Sequence, residues 1–309
     1  MITGIKTYSI DRYCEKLLIN PTDLNPVFKP LYNQGLYKPK PDRNPGESKE
    51  DFKQRMRKEA SIKIGNFTLI LDAKFRSKQY RRSYKLLCRI NGAVISFGHL
   101  SWNHKIQEKD INLLCLDIAN YLFYQDEINI EAIRTDLLET FKLEHNNYQH
   151  FDICLDTNYD IIRNFERRYK NRKKYYFKSC NRIDKSTLKI LGYERDRLIG
   201  EQFLFKSPSY KEVFRFYNKT LELASNNSKS YLYDYFVRNG LNINKPIYRI
   251  EISMSWKSDK RPFVDLDNTN FTYNYRLKRI LNEYIRMYLD FRIINHNQNK
   301  SRYKRDSFV

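Results

Sequence analysis

The sequence predicts an α+β fold: a mainly antiparallel sheet with helices packed on one face, preceded by a polar N-terminal arm. Three observations predict it. Several short segments alternate apolar and polar residues, as half-buried strands do. Asn91-Gly92 separates two of them, a two-residue hairpin signal that makes its flanking strands antiparallel neighbours. Other segments carry apolar residues at helical spacing and so need a surface to pack on. A chain of 309 residues, 15% of them aromatic, can bury a proper core and is not disordered.

In chain order, residues 1–60 read as the arm. Residues 20–60 are polar, hold most of the nine prolines, and close on a short charged helix from about Ser48. Residues 61–145 follow, with strands expected over 66–73, 84–91 and 93–98 that belong to the same sheet as what comes after. The apolar spacing of 111–124 (INLLCLDIANYLFY) predicts a helix across that sheet, and 131–141 a second. Residues 146–309 form the third region. It opens on a strand at Phe151–Asp156 (FDICLD), then a helix over 159–169 with Ile161, Ile162 and Phe165 on one side. A strand over Tyr248–Ser253 (YRIEIS) and a helix from Arg276 with a basic end, Lys300–Arg305, complete the chain.

Fifty-seven Lys and Arg against 36 Asp and Glu give a net charge of +21, which calls for a polyanionic partner. No apolar run is long enough to span a bilayer and the N-terminus lacks a signal-peptide core, so nucleic acid in a cytoplasm is favoured over a membrane. The five cysteines are unpatterned, which fits a reducing compartment and gives no zinc site. His99 and His104 bracket Trp102 without acidic or thiol partners, so they make no zinc site either. No Gly-rich phosphate loop exists, which excludes an ATPase motor of the usual kind. Between Arg163 and Lys189 stand eleven cations against two acids, with Tyr175-Tyr176-Phe177 inside the run. Such a run is either a solvated face or a DNA contact in which rings stack on bases and cations meet phosphates. The DNA-contacting set is Arg167, Arg168, Lys170, Arg172, Lys173, Lys174, Tyr175, Tyr176 and Arg249.

The chemistry concentrates in three segments. If the strands at 151–156, around 215–219 and at 248–253 pair, one face gathers Asp152, Asp156, Arg215, Tyr217, Lys219, Arg249 and Glu251. Cations two residues either side of Tyr217 ease formation of a phenolate and hold a phosphate. The same stretch also reads as a helix, with Ser209 and Glu212 as a capping box, in which case Tyr217 simply packs. Asp152 and Asp156 are four apart in a strand, about 13 Å, so they cannot share one metal. Asp152 with Glu251 makes the better pair for Mg²⁺ or Mn²⁺, with His150 a third candidate. Against this, Glu251 could pair with an arginine and Asp156 could cap the next helix.

FDICLD, then SPSYKEVFRFYNKTLE, then YRIEIS resembles, in order and spacing, the Rep_trans family of rolling-circle replication initiators from plasmids and filamentous phages. The resemblance is best over residues 148–255. Lys206-Ser207 stands where the family often has Gly-Ser, and His150-Phe151 where arginine is common. The resemblance implies a relaxase-like or initiator-like sheet and a nicking-closing enzyme. Tyr217 would attack one strand of origin DNA, giving a 5′-phosphotyrosyl link and a free 3′-OH. Arg215 and Lys219 match the basic positions, and Asp152 and Glu251 the acidic positions expected at Mg²⁺ or Mn²⁺. It further implies a homodimer that recruits a host helicase and polymerase. A non-catalytic DNA-binding initiator is the main alternative, and an RNA-binding module a further one. A tyrosine recombinase is disfavoured because no His-x-x-Arg is present.

Overall fold

Strands supply most of the framework in the computed structural model, which describes residues 4–20, 22–37, 43–52, 54, 61–72, 80–104, 113–178, 189–190, 193–194, 197–198, 202–206, 212–224, 229–255, 274–306 and 308. The strands are β1 (Lys6–Ile19), β2 (Ser61–Ile64), β3 (Phe67–Leu71), β4 (Tyr80–Ile90), β5 (Ala93–His104), β6 (Leu113–Ile118), β7 (Leu143–Thr157) and β8 (Tyr175–Lys178). They continue with β9 (Lys189–Ile190), β10 (Tyr193–Glu194), β11 (Arg197–Leu198), β12 (Gln202–Lys206), β13 (Glu212–Asn218), β14 (Tyr248–Ser255), β15 (Asp290–Ile293) and β16 (Arg305–Asp306). The helices are α1 (Phe28–Tyr37), α2 (Ile130–Phe141), α3 (Ile161–Lys170), α4 (Lys219–Ala224), α5 (Tyr231–Arg238) and α6 (Asn274–Tyr288). The fold is α+β with mainly antiparallel pairing, as the patterning predicts. Among the described residues no helix is long and apolar enough to cross a membrane.

The chain forms two compact units. One comprises residues 13–122 and 126–149, the other residues 1–12, 123–125 and 150–309. In the first, strands run in the order β2-β3-β4-β5-β6-β1. Asn91 and Gly92 take positive φ of 48° and 83°, the geometry of a tight hairpin turn between β4 and β5. The core is aromatic: Phe28 meets Trp102 and Phe141 edge-on at 5.6 and 5.1 Å, and Trp102 stacks on Tyr84 at 4.5 Å. Asn129 caps α2 by accepting the Ala132 amide. A buried ion cluster joins Arg134 of α2 to Glu15 of β1, with Nε–Oε1 at 2.7 Å, and His145 Nδ1 lies 2.7 Å from the same carboxylate.

Two readings of this unit are corrected. Residues 113–118 are a strand, not the first half of a helix; only Asn120–Tyr124 turns, as a short 3-10 helix. A central strand is apolar on both faces, and over six residues such a run mimics helical spacing. The N-terminal arm is likewise structured, since β1 is fourteen residues long and α1 buries Phe28 completely. Pro30 is tolerated there because it lies in the first turn of α1, where its missing N–H costs no helical bond.

In the other unit, the order is β1-β7-β14-β13-β12-β9, with a small separate sheet β16-β15-β8. Alternation gives the main sheet an apolar face and a polar face. Phe203, Phe214 and Phe216 lie on the apolar side. There Phe165 of α3 packs at 4.7 Å from Phe203 and 5.2 Å from Phe216, and Tyr288 of α6 stacks on Phe214 at 5.0 Å. Asp160, not Asp156, caps α3 by accepting the Arg163 amide at 2.8 Å. Helix α5 closes one end of the polar face, where the Tyr235 hydroxyl and Thr7 Oγ1 are 2.6 Å apart.

Candidate active site

The polar face is a grid set by register. Asp152 stands opposite Ser253, Cys154 opposite Glu251 and Asp156 opposite Arg249; on the next strand Arg215 stands opposite Glu251 and Tyr217 opposite Arg249. The segment around Tyr217 is therefore a strand as far as Asn218, and Lys219 is the first residue of a helix. Both alternatives that the sequence left open hold in part, one on each side of that boundary. Ser209 of the expected capping box lies outside the described residues, and Glu212 is instead buried as the acceptor of the Tyr284 hydroxyl at 3.2 Å.

Glu251 is the centre of the grid. It has no exposed surface. Arg215 donates to its Oε1 through Nε at 3.0 Å and also through Nη2, while the Tyr217 hydroxyl donates to Oε2 at 3.1 Å. The Arg215 guanidinium lies over the Tyr217 ring at 5.3 Å and the Lys219 ammonium at 5.8 Å. Lys219 is itself buried and ion-paired with Glu222. Burial, then the neighbouring Arg249 charge, push its ammonium below the ordinary lysine value.

Tyr217 is 9% exposed. Burial first, then the Glu251 charge, push its hydroxyl well above the ordinary tyrosine value, and these outweigh Arg249 and Arg215, which act the other way. The resting group is thus a neutral phenol aimed at a carboxylate, not a phenolate. Arg215 keeps 39% of its side chain exposed, enough to meet an incoming phosphate while holding Glu251.

Arg249 is removed from the DNA-contacting set. It is wholly buried, with Nε and Nη2 both donating to Asp156 at 2.7 Å and Nη1 to Asp11 at 2.8 Å. The Tyr124 hydroxyl also donates to Asp11, at 2.5 Å. Burial alone would raise the Asp11 carboxyl, but Arg249, then Lys219 and Lys229, hold it well below the usual carboxylate range. Asp11 and Tyr124 were missed from sequence. The signal was there for Asp11: Thr7, Ser9 and Asp11 alternate with Tyr8, Ile10 and Arg12 in β1, and Ser9 Oγ lies 3.0 Å from the Cys154 sulfur.

A divalent cation held jointly by Asp152 and Glu251 does not fit this arrangement. Each Glu251 oxygen already accepts a hydrogen bond, and among the described residues no group of three His, Cys, Asp or Glu is placed to hold a metal. Asp152 accepts from Ser253 Oγ at 2.5 Å. Burial, then the Glu251 charge, push its carboxyl up to about 7. Among the described residues, His150 Nδ1 is buried without a hydrogen-bond partner.

The remaining basic residues form a second surface in the same unit. Arg167, Lys170, Arg172, Lys173 and Lys174 are exposed, and Tyr175 and Tyr176 are half-buried on β8. Arg168 leaves this set too: it is 6% exposed and paired with Asp306 at 2.9 Å. The small sheet brings the C-terminal basic stretch alongside, with Tyr303 edge-on to Tyr176 at 6.1 Å and the Lys300 ammonium 5.5 Å from the Tyr176 ring. Residues 179–188 of the basic run lie outside the described residues.

No family model matches this sequence, and no curated protein matches it. Among solved structures it is similar to a rolling circle replication initiator protein from Geobacillus stearothermophilus, at 16% identity and a TM-score of 0.45, over 98% of this chain and 93% of that one.

Proposed function

We propose that this chain is a replication initiator that nicks one DNA strand with Tyr217. The observation that carries the reading is the Tyr217 hydroxyl held 3.1 Å from Glu251 Oε2, beneath a half-exposed arginine. That is within reach for proton transfer. The Tyr217 oxygen attacks the phosphorus and its proton passes to Glu251. The P–O3′ bond breaks, the 5′ phosphate stays on the tyrosine, and the leaving 3′ oxygen takes a proton from solvent. Reversal of the same steps closes the strand. Arg215 faces the non-bridging oxygens, whose charge it stabilises. Lys219, its ammonium 5.8 Å from the Tyr217 ring, acts as a positioning residue. The exposed cations with Tyr175 and Tyr176 hold the strand by phosphate contact and stacking. The motif order supports origin DNA as the substrate, with the 3′-OH left to prime a polymerase. Glu251, engaged by Arg215 and Tyr217, serves as the proton acceptor.

The test uses labelled single-stranded oligonucleotides tiled across the encoding replicon, incubated with the wild-type chain and with Tyr217→Phe in Mn²⁺ or Mg²⁺. A protein–DNA band that survives denaturation in the wild type and is absent from the variant is expected. A band in both places the nucleophile elsewhere. No band in either, with tight duplex binding, selects the non-catalytic initiator, a reading that the burial of Tyr217 favours.

A further inference from the structure

The five cysteines are scattered in sequence, yet two of them meet. Cys14 lies on β1 and Cys115 on β6, adjacent antiparallel strands in which Cys14 stands opposite Asp117 and Lys16 opposite Cys115. The two cysteines are thus diagonal neighbours on one face. Their sulfurs are 3.0 Å apart. Non-bonded heavy atoms ordinarily rest about 3.5–4.0 Å apart, so the pair is already closer than packing alone requires. Both thiols also point at one acceptor: Gln149 Oε1 lies 3.2 Å from the Cys115 sulfur and 3.7 Å from that of Cys14. All three residues are buried, the sulfur-bearing ones with 4% and 6% of their surface exposed. Cys88 and Cys154 bond differently, to the Arg89 carbonyl and to Ser9.

We infer that Cys14 and Cys115 form a redox-modification site that a small hydroperoxide converts into a reversible cross-strand disulfide. A disulfide needs its sulfurs at about 2.0 Å, an approach of roughly one ångström between strands already paired. With 4% and 6% of their surface exposed, the two thiols are open only to a small oxidant, not to exchange with a bulky disulfide. In the first step one thiol attacks the peroxide O–O bond, becoming a sulfenic acid and releasing the reduced fragment, water in the case of hydrogen peroxide. The other thiol then attacks that sulfur, the S–S bond forms, and a second water leaves. Two thiols are oxidised and one peroxide is reduced. The inference is independent of the nicking chemistry proposed for Tyr217.

The test treats the full, reduced chain with hydrogen peroxide, alkylates remaining thiols in denaturant, and maps peptides without reduction. Expected are a peptide pair joined through Cys14 and Cys115, three alkylated cysteines of the five, and full recovery of thiols in dithiothreitol. Cys14→Ser should instead leave Cys115 trapped by a sulfenic-acid reagent. Five alkylated thiols after treatment, a link between a different pair, or a link that forms only in urea would each overturn the inference.

Discussion

Asp152 and Glu251 are carboxylates of one face held by different means. Glu251 is buried among three donated hydrogen bonds, whereas Asp152 has one, from Ser253, and lies near the Glu251 charge. Its carboxyl, raised to about 7 from an ordinary value of 3.8, makes the folded chain bind more protons than the unfolded chain between those limits. Stability from this residue is therefore present at acid pH, falls as pH rises from about 4 through 7, and stays low above. Asp152→Asn keeps the Ser253 acceptor and removes the ionisation. It should stabilise the chain by about 2–4 kcal/mol at pH 8 and leave it nearly unchanged at pH 4, as read by urea denaturation at the two values. An equal effect at both would reject the assigned titration. At this scale the shared face of Arg215 and Tyr217 was legible, because two-residue spacing alone puts side chains on one face; Glu251 joins them only through the pairing of β13 with β14. Arg249 and Arg168 were not: whether an arginine is exposed depends on what pairs with it, and their partners Asp11 and Asp306 are 238 and 138 residues away in sequence.

Among the elements, β5 carries a constraint that its pattern does not show. Gly98 sits opposite Ile118 with φ of +155°, and a Cβ there would come within 2.0 Å of the Asp117 carbonyl oxygen. That neighbour is backbone of a paired strand and cannot swing aside. Gly98→Ala should cost about 2–4 kcal/mol through displacement of β6 from β5, seen as a lower urea midpoint; a change under about 0.5 kcal/mol would mean the ladder yields freely. The hairpin at Asn91-Gly92, α2, α3 and β7 were all legible, since turn residues and amphipathic spacing are local. The strand β6 was not, because a strand buried on both faces has no alternation to show. The strand β1 was hidden by the proline-rich stretch after it, although its own residues 7–11 alternate polar and apolar.

For the molecule as a whole, a net charge of +21 predicts association that weakens steeply with salt. Replacing Arg172, Lys173 and Lys174 by Gln should reduce the slope of log K against log salt for single-stranded DNA by about 2, leaving cleavage of a saturating oligonucleotide intact. An unchanged slope would move the DNA surface off α3 and β8. Composition pointed to a polyanionic partner; it could not show that the basic stretches near 170 and 300 share one small sheet, which long-range pairing decides. The unit bearing Tyr217 is assembled from three separate stretches of chain, and its Asp11–Arg249 ion pair spans 238 residues. Asp11 thus leaves the ribosome long before its counter-charge has been translated. The face that carries Tyr217 cannot set during synthesis of the strand that starts it, and it stays incomplete until β14 emerges.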